Sequence, residues 1–197
     1  MTVVRLSDGG LFVHSPVAPD DALRGALDDL GPVRHIVAPN LYHHLHAAPF
    51  AAAYPDAQLH GAPGLAKKRK DLQFASLLGA EPDSGWAADL HQVPIRGSLF
   101  GETVFFHKRS RTLVVTDLVE NFSHSHHWPT RTFLRMTGVY GRPGAARQHR
   151  LAYRDKAAGR AALDRVLAWD FERILQCHGD PITIDACAVL RDSFAWL

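Results

Sequence analysis

The sequence predicts an α/β (α+β) protein whose two β-sheets are covered by helices. Strand-like runs come first in hairpins and then alternate with segments of helical period. That order suits two covered sheets better than a purely parallel doubly wound sheet. An apolar fraction of 46% against 21% charged residues belongs to a globular core, and it excludes a disordered chain, a coiled coil and a collagen-like fibre. The 197 residues are read as one domain, 1–197.

Residues 3–6 and 11–14 flank Ser7-Asp8-Gly9-Gly10, the pattern of a hairpin turn. Residues 20–30 carry Ala22, Leu23, Ala26, Leu27 and Leu30 at helical spacing, and Gly31-Pro32 stops the helix. Residues 33–38 form a short apolar strand and residues 47–54 an alanine-rich helix that ends before Pro55. Another strand is expected at 58–61, a short helix at 64–71 and a strand edge at 93–95. Residues 103–107 and 112–117 make a second hairpin across Lys108-Arg109-Ser110-Arg111. Residues 121–130 read as a polar, histidine-bearing loop and 155–169 as a strong helix. A strand at 174–177 and a closing helix at 185–196, capped by Asp185, complete the chain.

Two cysteines, Cys177 and Cys187, cannot make a disulfide framework. The first residues lack the basic start and apolar run of a signal peptide, and no stretch reaches the length of a transmembrane helix. A soluble, cytoplasmic protein with no membrane partner is expected. The net charge of +2 is unevenly spread. Between Arg131 and Arg165 the basic residues face only Asp155 and Asp164, and Lys67-Lys68-Arg69-Lys70 forms a second basic run. Such runs serve as solvated helix faces or as sites for anionic ligands or nucleic acid. No alternation of aromatic and basic residues supports base stacking, so nucleic acid is not an expected partner.

Thirteen histidines are the compositional anomaly. Imidazole is the commonest metal ligand, so the count directs attention to a metal site without locating it. Three strand ends carry the right groups. The first is Ala38-Pro39-Asn40-Leu41-Tyr42-His43-His44-Leu45-His46, between a strand and a helix start. The second is Val114-Val115-Thr116-Asp117, where a carboxylate ends an apolar strand and is costly to bury unless paired or metal-bound. The third is Cys177-His178-Gly179-Asp180, where glycine permits a tight turn. Each group alone is more often a hydrogen-bonded structural residue than a ligand. Together, histidines and an aspartate at three strand ends have the composition of a zinc or iron site.

Other candidates weigh less. His124-Ser125-His126-His127 has surface-site spacing on a polar loop, and His46 is an alternative ligand to His43 or a helix-start residue. Cys177 should point away from the face of its neighbour and is read as a small buried residue. Asp180 orients His178 or simply makes the turn. No G-x-S-x-G, P-loop or dinucleotide fingerprint is present.

These places, in this order, resemble the metallo-β-lactamase-like superfamily, and the chain resembles most its uncharacterised branch known as domain of unknown function 4336. The matching stretches are Asn40-Leu41-Tyr42-His43-His44, Gly64-Leu65 with Lys68-Arg69, and Glu102-Thr103-Val104-Phe105-Phe106-His107. Residues 110–118 with Asn121-Phe122, and His178-Gly179-Asp180, also match. The resemblance implies a metallo-β-lactamase-like αββα four-layer sandwich with a metal site at the strand ends.

The departures shape the function. Against the superfamily pattern H-x-H-x-D-H, His44 takes the last histidine position and His43 stands where the aspartate would be. Leu41 and Pro39, or with one gap Tyr42 and Asn40, fall on the first two histidine positions. The later P-G-H stretch maps near Pro94-Ile95-Arg96-Gly97, with no histidine. The resemblance thus implies that first-metal ligands are missing and that His43, His44, Asp117 and His178 remain for one divalent metal. Zinc is the expected metal, with iron and manganese as alternatives. A degenerate, at most mononuclear metal-dependent hydrolase acting on a small molecule is one reading. Lys67, Lys68 or Arg69 would then meet an anionic substrate. The alternative is a non-catalytic descendant of the hydrolase fold that binds a ligand or serves a structural role. Fold analogy alone does not choose between them.

Overall fold

A computed structural model describes residues 1–197. The chain forms β1 (Thr2–Arg5), β2 (Leu11–His14), α1 (Asp21–Leu30), β3 (Val33–Ala38), α2 (Ala47–Ala53), β4 (Gln58–Gly61), α3 (Leu65–Lys68) and β5 (Ser76–Leu77). It continues with β6 (Leu90–Pro94), β7 (Thr103–His107), β8 (Thr112–Val114), α4 (Trp128–Thr137), α5 (His149–Ala152), α6 (Lys156–Leu167), β9 (Arg173–Leu175) and α7 (Ala186–Ser193). One sheet has the order β1-β2-β3-β4-β5 and the other β6-β7-β8-β9. The hairpins expected from the turn residues form: β1 pairs antiparallel with β2, and β7 with β8. The later strands join in parallel, β2 to β3 to β4 and β8 to β9, because helical crossovers return the chain to the same end.

The alternation of side chains along each strand builds four layers. Leu11, Val13, Val33, Ile36 and Ala38 point outward from the first sheet and pack on Leu27 of α1, Ala47 and Phe50 of α2 and Leu65 of α3. Val4, Phe12 and Val37 point the other way, onto Leu90, Phe105 and Val114 of the second sheet. The outer face of that sheet, with Val93, Val104, Phe106 and Leu113, is covered by Ala162, Leu163 and Val166 of α6 and by Leu190 of α7. The result is an αββα sandwich. None of its helices is long and apolar enough to cross a membrane.

Trp86 fills the middle of the inter-sheet layer. Its ring meets Phe12 and Phe105 edge-on, at centroid distances of 5.2 and 6.5 Å, and its indole N–H donates to Gln92 Oε1 at 3.0 Å. His35 and His60 pack on the same ring. They are joined to each other at 3.2 Å, and His60 Nδ1 meets Ser76 Oγ at 2.8 Å. Burial lowers the pKa of both, and the neighbouring His35 charge helps push His60 down to about 4. These are interior polar residues, not ligands.

The structure corrects several boundaries. The strand expected at 112–117 leaves the ladder at Val114, the one at 174–177 runs Arg173–Leu175, and the strand edge at 93–95 is a full strand, Leu90–Pro94. Thr116, Asp117, Cys177 and His178 are therefore in irregular backbone, free to turn toward a common point. Residues 128–130, expected in a loop, begin helix α4, with Pro129 in its first turn where a missing N–H costs nothing. Asp185 precedes α7 but does not cap it: its backbone is left-handed, φ 51°, and its side chain makes no cap hydrogen bond. Asp20 and Asp155 do cap α1 and α6, accepting from Leu23 N and Ala158 N.

Two tests follow from this layer. Replacing the fully buried Trp86 by alanine should cost about 3–5 kcal/mol in urea unfolding, because the cavity has large walls on both sheets. Between pH 6.5 and about 4 the unfolded chain binds a proton at His60 that the folded chain does not, so this residue's contribution to stability falls as pH falls. The unfolding midpoint of His60→Gln should therefore drop less than that of the parent over this window.

Candidate metal centre

The site lies where the irregular ends of both sheets meet. After β3 the chain turns at Pro39-Asn40. Asn40 is fully buried, and its carbonyl oxygen accepts the backbone N–H groups of Tyr42 and His43, at 2.8 and 2.7 Å. This Asx-type turn swings His43 out of line with the strand. The Asn40 amide donates across the sandwich to Thr116 Oγ1 at 2.8 Å and to Asp117 Oδ2 at 2.7 Å. One oxygen of Asp117 is thereby occupied, and Oδ1 faces the site.

Glu102 holds the same segment from behind. Its buried carboxylate accepts the N–H of Thr116 at 2.6 Å and that of Asp117 at 3.0 Å. Burial, reinforced by the Asp117 charge, pushes its pKa up to about 7 against the pull of these two N–H groups. A carboxylate in this position is the only acceptor for two backbone donors after the strand has left the ladder.

At the front, three donor atoms converge. His43 Nε2 lies 3.1 Å from Asp117 Oδ1, His178 Nε2 lies 3.0 Å from the same oxygen, and the two nitrogens are 3.2 Å apart. His178 is delivered by the turn at Gly179, whose φ of 88° and close approach to the Asn121 backbone leave no room for a Cβ. Burial by itself would lower the pKa of His43. The hydrogen bond to Asp117, with the neighbouring Cys177 sulfur and the Asp117 charge, outweighs it and raises the imidazole to about 10. Asp117 also raises His178, and burial only partly offsets this. Burial would raise Asp117, but the two imidazoles hold it well below the usual carboxylate range.

The other nitrogen of His43, Nδ1, is 2.7 Å from Ser15 Oγ. That contact fixes the ring and leaves Nε2 directed at the cluster. Cys177 and His14 complete the surroundings. His14 is wholly buried with no hydrogen-bond partner on either ring nitrogen, and it lies against the Cys177 thiol. Burial would raise the thiol, but His14 and His43 outweigh it and bring Cys177 down to about 5. Ser15, Asn40 and Glu102 were not singled out by sequence reasoning as site residues. The available signal was topological: β2 is parallel to β3, so residues just after His14 share an end of the sheet with residues just after Ala38.

Of the four expected ligands, His43, Asp117 and His178 come together, their donor atoms within 4.8 Å of one another. His44 stands apart. Its side chain turns to the other side of the backbone, where Arg69 donates to its Nδ1 at 2.9 Å and to its carbonyl at 3.1 Å. Cys177, expected to be buried in the interior, is only partly covered and lines a cleft. His46 lines that cleft too but is outside the cluster, and His124 and His126 pack on each other on the surface. Two of the cations expected to meet an anionic substrate are already engaged. Arg69 pairs with Asp71, and Lys68 donates to the Leu41 carbonyl and lies over the Tyr42 ring. The cleft in front of the cluster has a volume of about 320 Å³ and mixes His43, His178 and Cys177 with apolar walls from Val17, Tyr42 and Leu45.

The fold and site can be set beside known proteins. A family profile described as a domain of unknown function, DUF4336, matches residues 1–66. No curated protein matches the sequence. Solved structures do match in shape. A metallo-β-lactamase from Pontibacter korlensis superposes with a TM-score of 0.65 at 12% identity, over 98% of this chain and 84% of that one. One from Hirschia baltica gives 0.64 at 12% identity, over 98% and 83%. The DIM-1 metallo-β-lactamase gives 0.64 at 16% identity, again over 98% and 83%. The chain has the metallo-β-lactamase fold.

Removing the clamp behind Asp117 tests this architecture. Glu102→Ala leaves two buried N–H groups without acceptors and should cost roughly 2–4 kcal/mol in urea unfolding. Glu102→Gln retains an acceptor oxygen and should cost less.

Proposed function

We propose that this protein is a metal-binding, hydrolase-like protein with a mononuclear site made of His43 Nε2, Asp117 Oδ1 and His178 Nε2. The observation that carries the reading is the convergence of these three atoms, 3.0–3.2 Å apart, beside a cleft that His43 and His178 line. Two imidazoles and a carboxylate are the donor set of catalytic zinc sites that keep one position open, and iron or manganese accept the same set. A divalent cation held there would supply Lewis acidity for hydrolysis of a carbonyl or phosphoryl compound.

The residues of the chain have definable parts in this reading. In the metal-bound form Ser15 Oγ would accept a hydrogen bond from His43 Nδ1–H, holding the tautomer whose Nε2 lone pair is free for the metal. Asn40 occupies Asp117 Oδ2 and thereby selects Oδ1 as the ligand atom. The apolar walls of the cleft suit a small molecule with an apolar portion, and of Lys67, Lys68 and Arg69 the exposed Lys67 is the one that neither a hydrogen bond nor an ion pair engages.

A second reading has its own support. Leu41 and Pro39, or with one gap Tyr42 and Asn40, stand where the resemblance places first-metal histidines, and the whole side chain of Asn40 is engaged in structural hydrogen bonds. A non-catalytic descendant that keeps the cleft for ligand binding fits that loss.

Metal analysis by mass spectrometry, on protein purified without a histidine tag, separates these readings. The parent is expected to carry or take up one equivalent of zinc, iron or manganese. Asp117→Asn and His178→Ala should lose it, whereas His44→Ala should keep it. A parent that cannot be loaded with any of the three ions would leave the non-catalytic reading standing. Loading should also release protons, since Asp117 raises the pKa of both His43 and His178 in the free site, so metal affinity should rise with pH. Calorimetry in buffers of different ionisation enthalpy measures that release.

A further inference from the structure

The segment between Asn121 and Arg154 has a composition unlike the rest of the chain. It contains Arg131, Arg135, Arg142, Arg147, Arg150 and Arg154 and not one aspartate or glutamate. None of these arginines pairs with a carboxylate elsewhere in the fold: Arg131 donates to the Ser125 carbonyl, and Arg135 lies over the Tyr140 ring, 5.0 Å from its centroid. At the centre of the segment is α4, held to the body by a small cluster of its own, Leu134, Val139 and Ala146, separate from the main cores.

The opposite face of α4 is exposed and apolar. Trp128 is 68% exposed, Phe133 59% and Met136 70%. At 3.6 residues per turn, Trp128, Thr132 and Met136 form one row along the helix, Phe133 flanks it on one side, and Arg131 and Arg135 flank it on the other. A strip of large apolar side chains of this kind, beside unneutralised arginines, has the pattern of a helix lying in a lipid interface.

We propose that α4 docks this protein peripherally on an anionic lipid bilayer, with Trp128, Phe133 and Met136 entering the acyl boundary and Arg131 and Arg135 meeting the headgroups. Charge complementarity chooses the occupant. A second copy would bring like-charged, acid-free segments together, and a nucleic acid would leave Met136 and Phe133 without an apolar phase. Docking of this type needs no membrane-spanning helix, and it stands independently of the metal centre. The chain leading into α4 is hydrogen-bonded to the loop that carries His178, through Asn121 N to the His178 carbonyl at 3.2 Å and Asp180 N to the Asn121 carbonyl at 2.7 Å. A docked α4 therefore sits on the segment that continues from the cleft.

Co-sedimentation of the full chain with vesicles tests the proposal. Binding is expected to vesicles of phosphatidylcholine with phosphatidylglycerol, not to phosphatidylcholine alone, and to disappear at high salt. The double variants Trp128→Ser/Phe133→Ser and Arg131→Glu/Arg135→Glu should each lower binding at least about tenfold, with unchanged circular dichroism and unfolding midpoint. Brominated lipids should quench tryptophan fluorescence in the parent and not in Trp128→Phe. The proposal is overturned by no binding to anionic vesicles at low salt, by binding that ignores both double variants, or by a lipid-free dimer that the variants dissociate. Tighter binding to single-stranded RNA than to vesicles, lost in the same variants, would also overturn it.

Discussion

The side chain of Asn40 connects most of what is particular to this molecule. It is fully buried at the point where the two sheets meet, and of the four hydrogen bonds of its amide two shape the turn after β3 and two join that turn to the one after β8. Buried polar groups of this kind are costly unless satisfied, and here every donor and acceptor has a defined partner. The same bonds that align the sheets therefore decide which oxygen of Asp117 faces outward and which way His43 turns. The site is a consequence of how the sandwich is closed at one end.

Glu102 performs the complementary task. When β8 leaves its ladder at Val114, the N–H groups of Thr116 and Asp117 have lost their strand partners, and a buried carboxylate replaces them. The arrangement puts two carboxylates near one another, Glu102 behind and Asp117 in front. Their environments push them apart: burial raises Glu102, and the two imidazoles depress Asp117. The charge stays on the residue that faces His43 and His178.

The histidine excess divides along the same lines. His14, His35 and His60 are buried between the sheets, His91 stacks on Phe106 and Trp169, and His107 is bonded to Ser110. His44 serves as an acceptor for Arg69. Only His43 and His178 share the carboxylate of Asp117. A count of imidazoles cannot separate these uses, because a histidine that packs on tryptophan and one that meets a carboxylate are the same letter in the sequence. Even the adjacency of His43 and His44 misleads, since neighbours in a turn point to different sides of the backbone.

Much of the order of strands and helices was legible in the sequence because hairpin turns, helix caps and apolar periodicity are local; β5, α4 and α5 were not. Asp20 and Asp155 announce α1 and α6 by side chains that reach only three residues. The three strand ends that carry His43, Asp117 and His178 were legible for the same reason: each follows an apolar strand. Three matters needed the folded chain. The boundary at Val114 depends on how far β9 extends beside β8, and the exposure of Trp128, Phe133 and Met136 depends on which face of α4 the rest of the molecule covers. Finally, Ser15, Asn40 and Glu102 act on the site across long separations in the chain, 28, 77 and 15 residues from their partners His43, Asp117 and Asp117. No local pattern encodes such contacts, because they exist only once two sheets have packed and brought their ends together.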